Sequence, residues 1–191
     1  ISVYSDSDAT GVAAGVNFTA AVAIEGDVNA NVEGAALNDA RVTADASATG
    51  IDGGEGSDTI VNEKVGGLET GKIFAAAESD AVAVAASLDV AGALSFKGNT
   101  EADVGGTAVS ESSAIAETNA AGIRGGTGDD EIGNSGDIEI LANSDATGVS
   151  AGLNVAAALT FKGAAQADVT GEAVSKANVV ANAEATGIDG G

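Results

Sequence analysis

The chain has 191 residues, of which 29 are acidic and 7 basic, giving a formal net charge of -22, and it contains no His, Cys, Met, Trp or Pro. Without imidazole or thiol, most general-base and nucleophilic catalysis is closed to it. So much negative charge repels nucleic-acid phosphates and anionic lipid headgroups, which excludes nucleic acid as an expected partner and leaves cations as the natural counterpart.

No run of about 18 apolar residues and no basic leader is present, so the segment is expected to be soluble, without membrane insertion, and any export signal to lie outside it. It opens on Ile1 rather than Met and stops at Gly191 inside a motif seen twice before, as an excerpt of a longer chain would. Apolar residues reach 45% but aromatics only 3%, so the interior must be built from Ala and Val. Such small side chains suit two closely packed sheet faces.

The first predicted element is a strand. Val12, Ala14, Val16, Phe18, Ala20, Val22 and Ile24 alternate with Ala13, Gly15, Asn17, Thr19, Ala21, Ala23 and Glu25, a period of two that outranks the helical propensity of Ala. Gly26 marks the bend that ends it. The same phase returns at Val84, Leu88, Val90, Leu94 and Phe96 before Gly98, and at Val149, Leu153, Val155, Leu159 and Phe161 before Gly163. Stacked copies would align Val22, Leu94 and Leu159, and Ile24, Phe96 and Phe161, as internal ladders, with Leu159 inward and Thr160 outward.

These copies belong to a repeat. Ser7-Asp8-Ala9 recurs as Ser79-Asp80-Ala81 and Ser144-Asp145-Ala146, at offsets of 72 and 65, and Gly50-Ile51, Gly122-Ile123 and Gly187-Ile188 follow at the same two offsets. The seven extra residues of the first interval fall near Lys64 to Thr70, as an insertion in a surface loop would. Repeats over 1–63, 64–135 and a truncated 136–191 then form one continuous array. A finer similarity, between Asp8-Ala9-Thr10-Gly11-Val12 and Ser47-Ala48-Thr49-Gly50-Ile51, has an offset of 39. It predicts an all-β fold, a β-solenoid or β-helix with alternating coils of about 39 and 26–33 residues. A single 65-residue circuit would need roughly 200 Å of extended chain. A stack of antiparallel hairpin modules is the competing arrangement.

The chemistry-bearing motif follows each Gly-Ile pair. Gly53-Gly54-Glu55-Gly56-Ser57-Asp58-Thr59-Ile60-Val61 and Gly125-Gly126-Thr127-Gly128-Asp129-Asp130-Glu131-Ile132-Gly133 share the pattern G-G-x-G-x-D-x-U-x, where U is aliphatic, and a third copy begins at Gly190-Gly191. Glycines allow left-handed turns, Asp supplies a hard carboxylate oxygen, and the aliphatic residue anchors a short strand. The motif resembles the calcium-binding nonapeptides of the RTX family of secreted bacterial toxins, proteases and adhesins.

That resemblance implies calcium as cofactor, Asp58 and Asp130 as carboxylate ligands, and the turns of Gly53, Gly54, Gly56, Gly125, Gly126 and Gly128 as sources of backbone oxygens. Asp52 and Asp189, with Glu55 and Asp129, are further candidates to complete a site, whereas Arg124 occupies the place of Asp52 and Asp189 in the second copy. The family's nonapeptides run in tandem and share ions. With two coils between copies, the turns here would lie about 10 Å apart, too far for one ion to bridge.

Ile132-Gly133-Asn134-Ser135-Gly136-Asp137-Ile138-Glu139-Ile140 is similar to repeats of filamentous hemagglutinin-like surface β-helices, and Ile60-Val61-Asn62 begins a like passage. Together the resemblances imply a giant repetitive bacterial surface protein, extracellular or on the cell surface. Paired acids such as Asp129 and Asp130 could in principle do acid–base work, but notable acids recur with the period or lie on solvated faces, so an enzyme is not expected. The expected function is structural: a filament or surface layer built by self-association, head-to-tail or lateral. The alternative is the rigid stalk of an adhesin or RTX-type secreted protein.

Overall fold

In the computed structural model, which describes residues 1–64, 66 and 71–191, the chain is all-β and its strands form stacked parallel sheets. The expected insertion near Lys64 to Thr70 falls largely outside the described residues. The eleven strands are β1 (Ser2–Ala23), β2 (Val28–Val32), β3 (Ala35–Asp52), β4 (Thr59–Asn62), β5 (Ile73–Ser95), β6 (Thr100–Val104), β7 (Thr107–Arg124), β8 (Glu131–Asn134), β9 (Ile138–Thr160), β10 (Ala165–Val169) and β11 (Ala173–Asp189). They pair as β1-β5-β9, β2-β6-β10, β3-β7-β11 and β4-β8.

All of these pairings are parallel, which rules out the hairpin stack. The arrangement is β-helix-like, but its circuit is not the one expected from the 39-residue similarity. Ser2 pairs with Phe74 and Ile73 with Ile138, so each circuit takes the full 72 or 65 residues. Coils of 39 and 26–33 residues are not formed. The 39-residue offset instead relates the two broad faces of one flat circuit: Ser79 Oγ lies 2.7 Å from Thr118 Oγ1 across the interior, and Thr118 also receives a 2.7 Å hydrogen bond from Ser144 Oγ. The long contour is accommodated because the circuit is flattened rather than round. Sheet β1-β5-β9 lies over β3-β7-β11 along most of its length and over the short β2-β6-β10 sheet beyond it.

The core between these faces is made largely of Ala. Ala40, Val42 and Ala44 meet Ala81, Ala83 and Ala85, while Ala91 and Ala93 meet Val28, Ala30 and Val32. Larger aliphatics gather at one end, where Ile60, Ile73 and Ile123 close the slab. The thin interior follows the composition, but the expected internal ladders are inverted. In β5 the odd-numbered side chains point in and the even-numbered ones out, so Leu94 and Phe96 face solvent together with Val22, Ile24, Leu159 and Phe161. Thr160 is the inward residue and donates to the Gly98 carbonyl at 3.0 Å.

The reason lies in a single unbroken strand. Asp6 and Asp8 share the even phase of Val12 to Ile24, as Glu78 and Asp80 share that of Val82 to Phe96. A strand without a bulge cannot send these acids and the following valines to different faces. The opposite phase would bury Asp6, Asp8, Glu78, Asp80 and Asp145, whereas this one buries only Asp89 among the carboxylates of the same three strands, and burying a row of carboxylates costs far more than exposing a row of valines.

Bends at the far end are stacked glycines, as expected. Gly26, Gly98 and Gly163 have φ of 107°, 134° and 143°, and a Cβ on Gly98 would collide with the Gly26 carbonyl oxygen of the next circuit.

Candidate functional site

The nonapeptide turns sit at the isoleucine-filled end of the slab. Register delivers them there together, since Ile51 pairs with Ile123 and Asp52 with Arg124, and the same ladder continues to Ile188 and Asp189. Each long strand then enters its glycine turn. Gly54 and Gly56 have φ of 89° and 114°, and Gly126 and Gly128 have 100° and 137°. The turns exit into β4 and β8, whose Ile60 and Ile132 pair with each other and pack into the aliphatic plug.

Successive turns are in direct contact, not two coils apart. Gly56 N–H donates to the Thr127 carbonyl and Thr127 N–H to the Gly54 carbonyl, both at 2.8 Å, and Glu55 bridges Thr127 in parallel. The third turn joins in the same way, with Gly125 N–H donating to the Asp189 carbonyl at 2.8 Å. Turns that a whole circuit of sequence separates are thus neighbours in space.

Within this stack, Asp58 and Asp130 lie one above the other. Asp58 N–H donates to Asp130 Oδ1 at 2.9 Å. Oδ2 of each carboxylate is buried without a hydrogen-bond partner among the described residues. Each leans over the first glycine of its own turn: a Cβ on Gly53 would lie 3.1 Å from Asp58 Oδ2, and one on Gly125 would lie 2.7 Å from Asp130 Oδ2. An orphaned carboxylate oxygen carries a large desolvation cost that a bound cation would relieve.

The other candidates are placed differently. Asp52 Oδ1 accepts from Gly54 N–H at 3.1 Å and Asp189 Oδ1 from Gly191 N–H at 3.2 Å, so each closes its own turn as an Asx cap. Arg124, in register between them, donates to Asn119 Oδ1 at 2.8 Å. Glu55 and Asp129 are exposed on the rim of the turns. No cluster of three or more His, Cys, Asp or Glu side chains able to hold a metal occurs among the described residues. Of the sequence-predicted ligands, Asp58 and Asp130 are the two carboxylates that the turns bring together, each with one oxygen left without a hydrogen-bond partner.

A second acidic feature went unread in the sequence. Asp8, Asp80 and Asp145 pair into one outward ladder. Burial pushes the Asp80 carboxyl above its usual range, and the charges of Asp8, Asp145, Glu78 and Asp6 add to the effect. The signal was present, because Ser-Asp-Ala recurs at the circuit length. Inside the slab, Asn17, Asp89 and Asn154 form another ladder, with Asn17 Nδ2 donating to Asp89 Oδ1 at 2.9 Å.

No protein-family model, curated protein or solved structure matches this chain.

Proposed function

We propose that the chain is a segment of an extracellular, calcium-stabilised β-solenoid array of RTX-like character, with a structural rather than catalytic role in a bacterial filament or surface layer. The observation that carries this reading is the stacking of Asp58 on Asp130, each with an orphaned carboxylate oxygen beside a left-handed glycine turn. A calcium ion held there would tie adjacent circuits together. Asp58 and Asp130 would bind it, and the glycines let backbone oxygens approach.

The open sheet edges support growth by stacking. β1 and β3 at one end of their sheets, and β9 and β11 at the other, offer complementary backbone edges to a further circuit, whether of this chain or another. Repeats alike enough to stack within a chain are alike enough to stack between chains.

The test is a calcium titration followed by thermal melting and light scattering, with sodium at matched ionic strength as the control. Calcium should raise the melting temperature and promote end-to-end association, and chelation should reverse both. An unchanged melting curve in millimolar calcium would defeat the proposal. Calcium stabilisation of a chain that stays unassociated would favour the rigid stalk.

A further inference from the structure

We propose that the outer face of sheet β1-β5-β9 is a lateral docking surface for a second copy of this chain, the two sheets packed face to face with strands antiparallel and circuits in step. This deepens the structural reading by naming a contact that does not use the turns.

The starting point is the asymmetry of the slab. From Val12 to Ile24, every outward residue of β1 and the bend after it is apolar, and the stretches paired with it are the same. Val12, Phe18 and Ile24 are 73%, 68% and 75% exposed. The opposite outer face, on β3-β7-β11, carries Asp39, Arg41, Glu111 and Lys176 instead. One broad side is thus oily and the other charged. A contiguous apolar patch of this size on a chain with net charge -22 marks an interface.

Area fits a second copy. Thirteen residues at about 3.3 Å and three strands at about 4.8 Å give a patch of roughly 600 Å² per copy. Pairing would bury on the order of 1,200 Å², the lower bound for a stable complex. Each added circuit enlarges the patch in proportion, so longer arrays would pair more tightly.

Relief also fits. Ala20, Gly92 and Ala157 line a groove between ridges that end in Val22, Leu94 and Leu159 on one side. Ridges of one face can enter grooves of the other, as in sheet-on-sheet packing.

Charge selects the orientation. A two-fold axis along the strands would place the Asp8-Asp80-Asp145 ladder against its own copy, which like-charge repulsion forbids. An axis along the stacking direction, centred near Val90, carries that ladder past the apolar edge of the partner copy, toward a corner of mixed charge that holds Lys162 and the Lys97–Glu25 ion pair rather than a second acidic ladder. The stacks then run the same way, so pairing and end growth are compatible.

The experiment uses the 191-residue chain, with sedimentation over a wide concentration range in EDTA and in calcium. A dimer that persists in EDTA is expected, because the apolar stretch from Val12 to Ile24 and the stretches paired with it carry no outward carboxylate. Leu94→Asp combined with Leu159→Asp should leave circular dichroism unchanged and weaken dimerisation at least ten-fold. Orientation is read by cysteine cross-linking. Val90→Cys should form a disulfide with itself, whereas Val84→Cys should cross-link to Phe96→Cys and not to itself.

A monomer at all concentrations in EDTA overturns the proposal, as does a dimer unaffected by the double substitution or Val84→Cys homodimers. Binding of monomeric chain to neutral phosphatidylcholine vesicles, in place of dimerisation, would assign the face to lipid and also overturn it. Loss of calcium-dependent end growth with the EDTA-resistant dimer intact would defeat only the calcium reading.

Discussion

Asp58 and Asp130 are 72 positions apart, yet the backbone N–H of the first donates to the carboxylate of the second at 2.9 Å. The consequence for metal dependence is specific. Calcium at about 100 times its dissociation constant should stabilise the fold by about 2.7 kcal/mol, a rise of several degrees in melting temperature. Asp58→Ala with Asp130→Ala should abolish that rise, while Asp58→Asn with Asp130→Asn should also make the chelated protein more stable than wild type. Differential scanning calorimetry with and without EDTA checks both, and magnesium should substitute poorly because it demands a tight octahedral shell.

Asp80 should show the opposite sign from a salt-bridged acid. Its folded-state value is raised above the ordinary 3.8, so the folded chain holds the proton more tightly than the unfolded one, and stability falls as pH climbs through the window above 3.8. Asp80→Asn is therefore expected to raise the urea midpoint at pH 7, and the gain should vanish near pH 3.5 and shrink in high salt. A lower midpoint at pH 7 would contradict the ladder's repulsive character.

Two glycines of β5 and its bend should behave differently. Gly98 has φ of 134° and faces the Gly26 carbonyl, so Gly98→Ala should cost about 1–3 kcal/mol or more. Gly92 has open space around its Cα, and Gly92→Ala should be neutral or slightly stabilising. Chemical denaturation of the two variants side by side measures the difference.

The interior leaves no room for growth. Ala83 and Ala116 are fully buried in one cluster, and Ala116→Leu should cost about 1–3 kcal/mol by overpacking the thin slab. The outward Val84→Ala should change stability little. Unfolding midpoints that rank the two the other way would mean the faces are assigned wrongly.

Period and repeat were legible in the sequence because both depend on local residue order. Strict alternation over Val12 to Ile24 gave the strand, and Ser-Asp-Ala at two offsets gave the register that pairs Asp8, Asp80 and Asp145. Phase does not follow from the apolar alternation alone, because Asp6 and Asp8 occupy the same parity as Val12 to Ile24 and that parity faces outward. The circuit length does not follow from the 39-residue similarity, which marks equivalent environments, and the two faces of a flat slab are as equivalent as two successive coils. Ser79 and Thr118 show this, meeting across the interior rather than along the stack. The glycine turns are legible in the residue order, but which turns become neighbours depends on the circuit length.

Asn62 pairs with Asn134 at an offset of 72, whereas Ile73 pairs with Ile138 at an offset of 65. The seven-residue difference between circuits thus falls between Asn62 and Ile73, outside both fixed registers. Seven residues added inside a strand would turn every following side chain to the wrong face, since seven is odd. Outside the registers, parity carries no penalty. A foreign peptide spliced between Asn62 and Ile73 should leave every ladder in phase, and one such graft per circuit would space its cargo along a single edge at the strand pitch of about 4.8 Å. This interval makes the slab a natural display rack, with cargo number set by gene length.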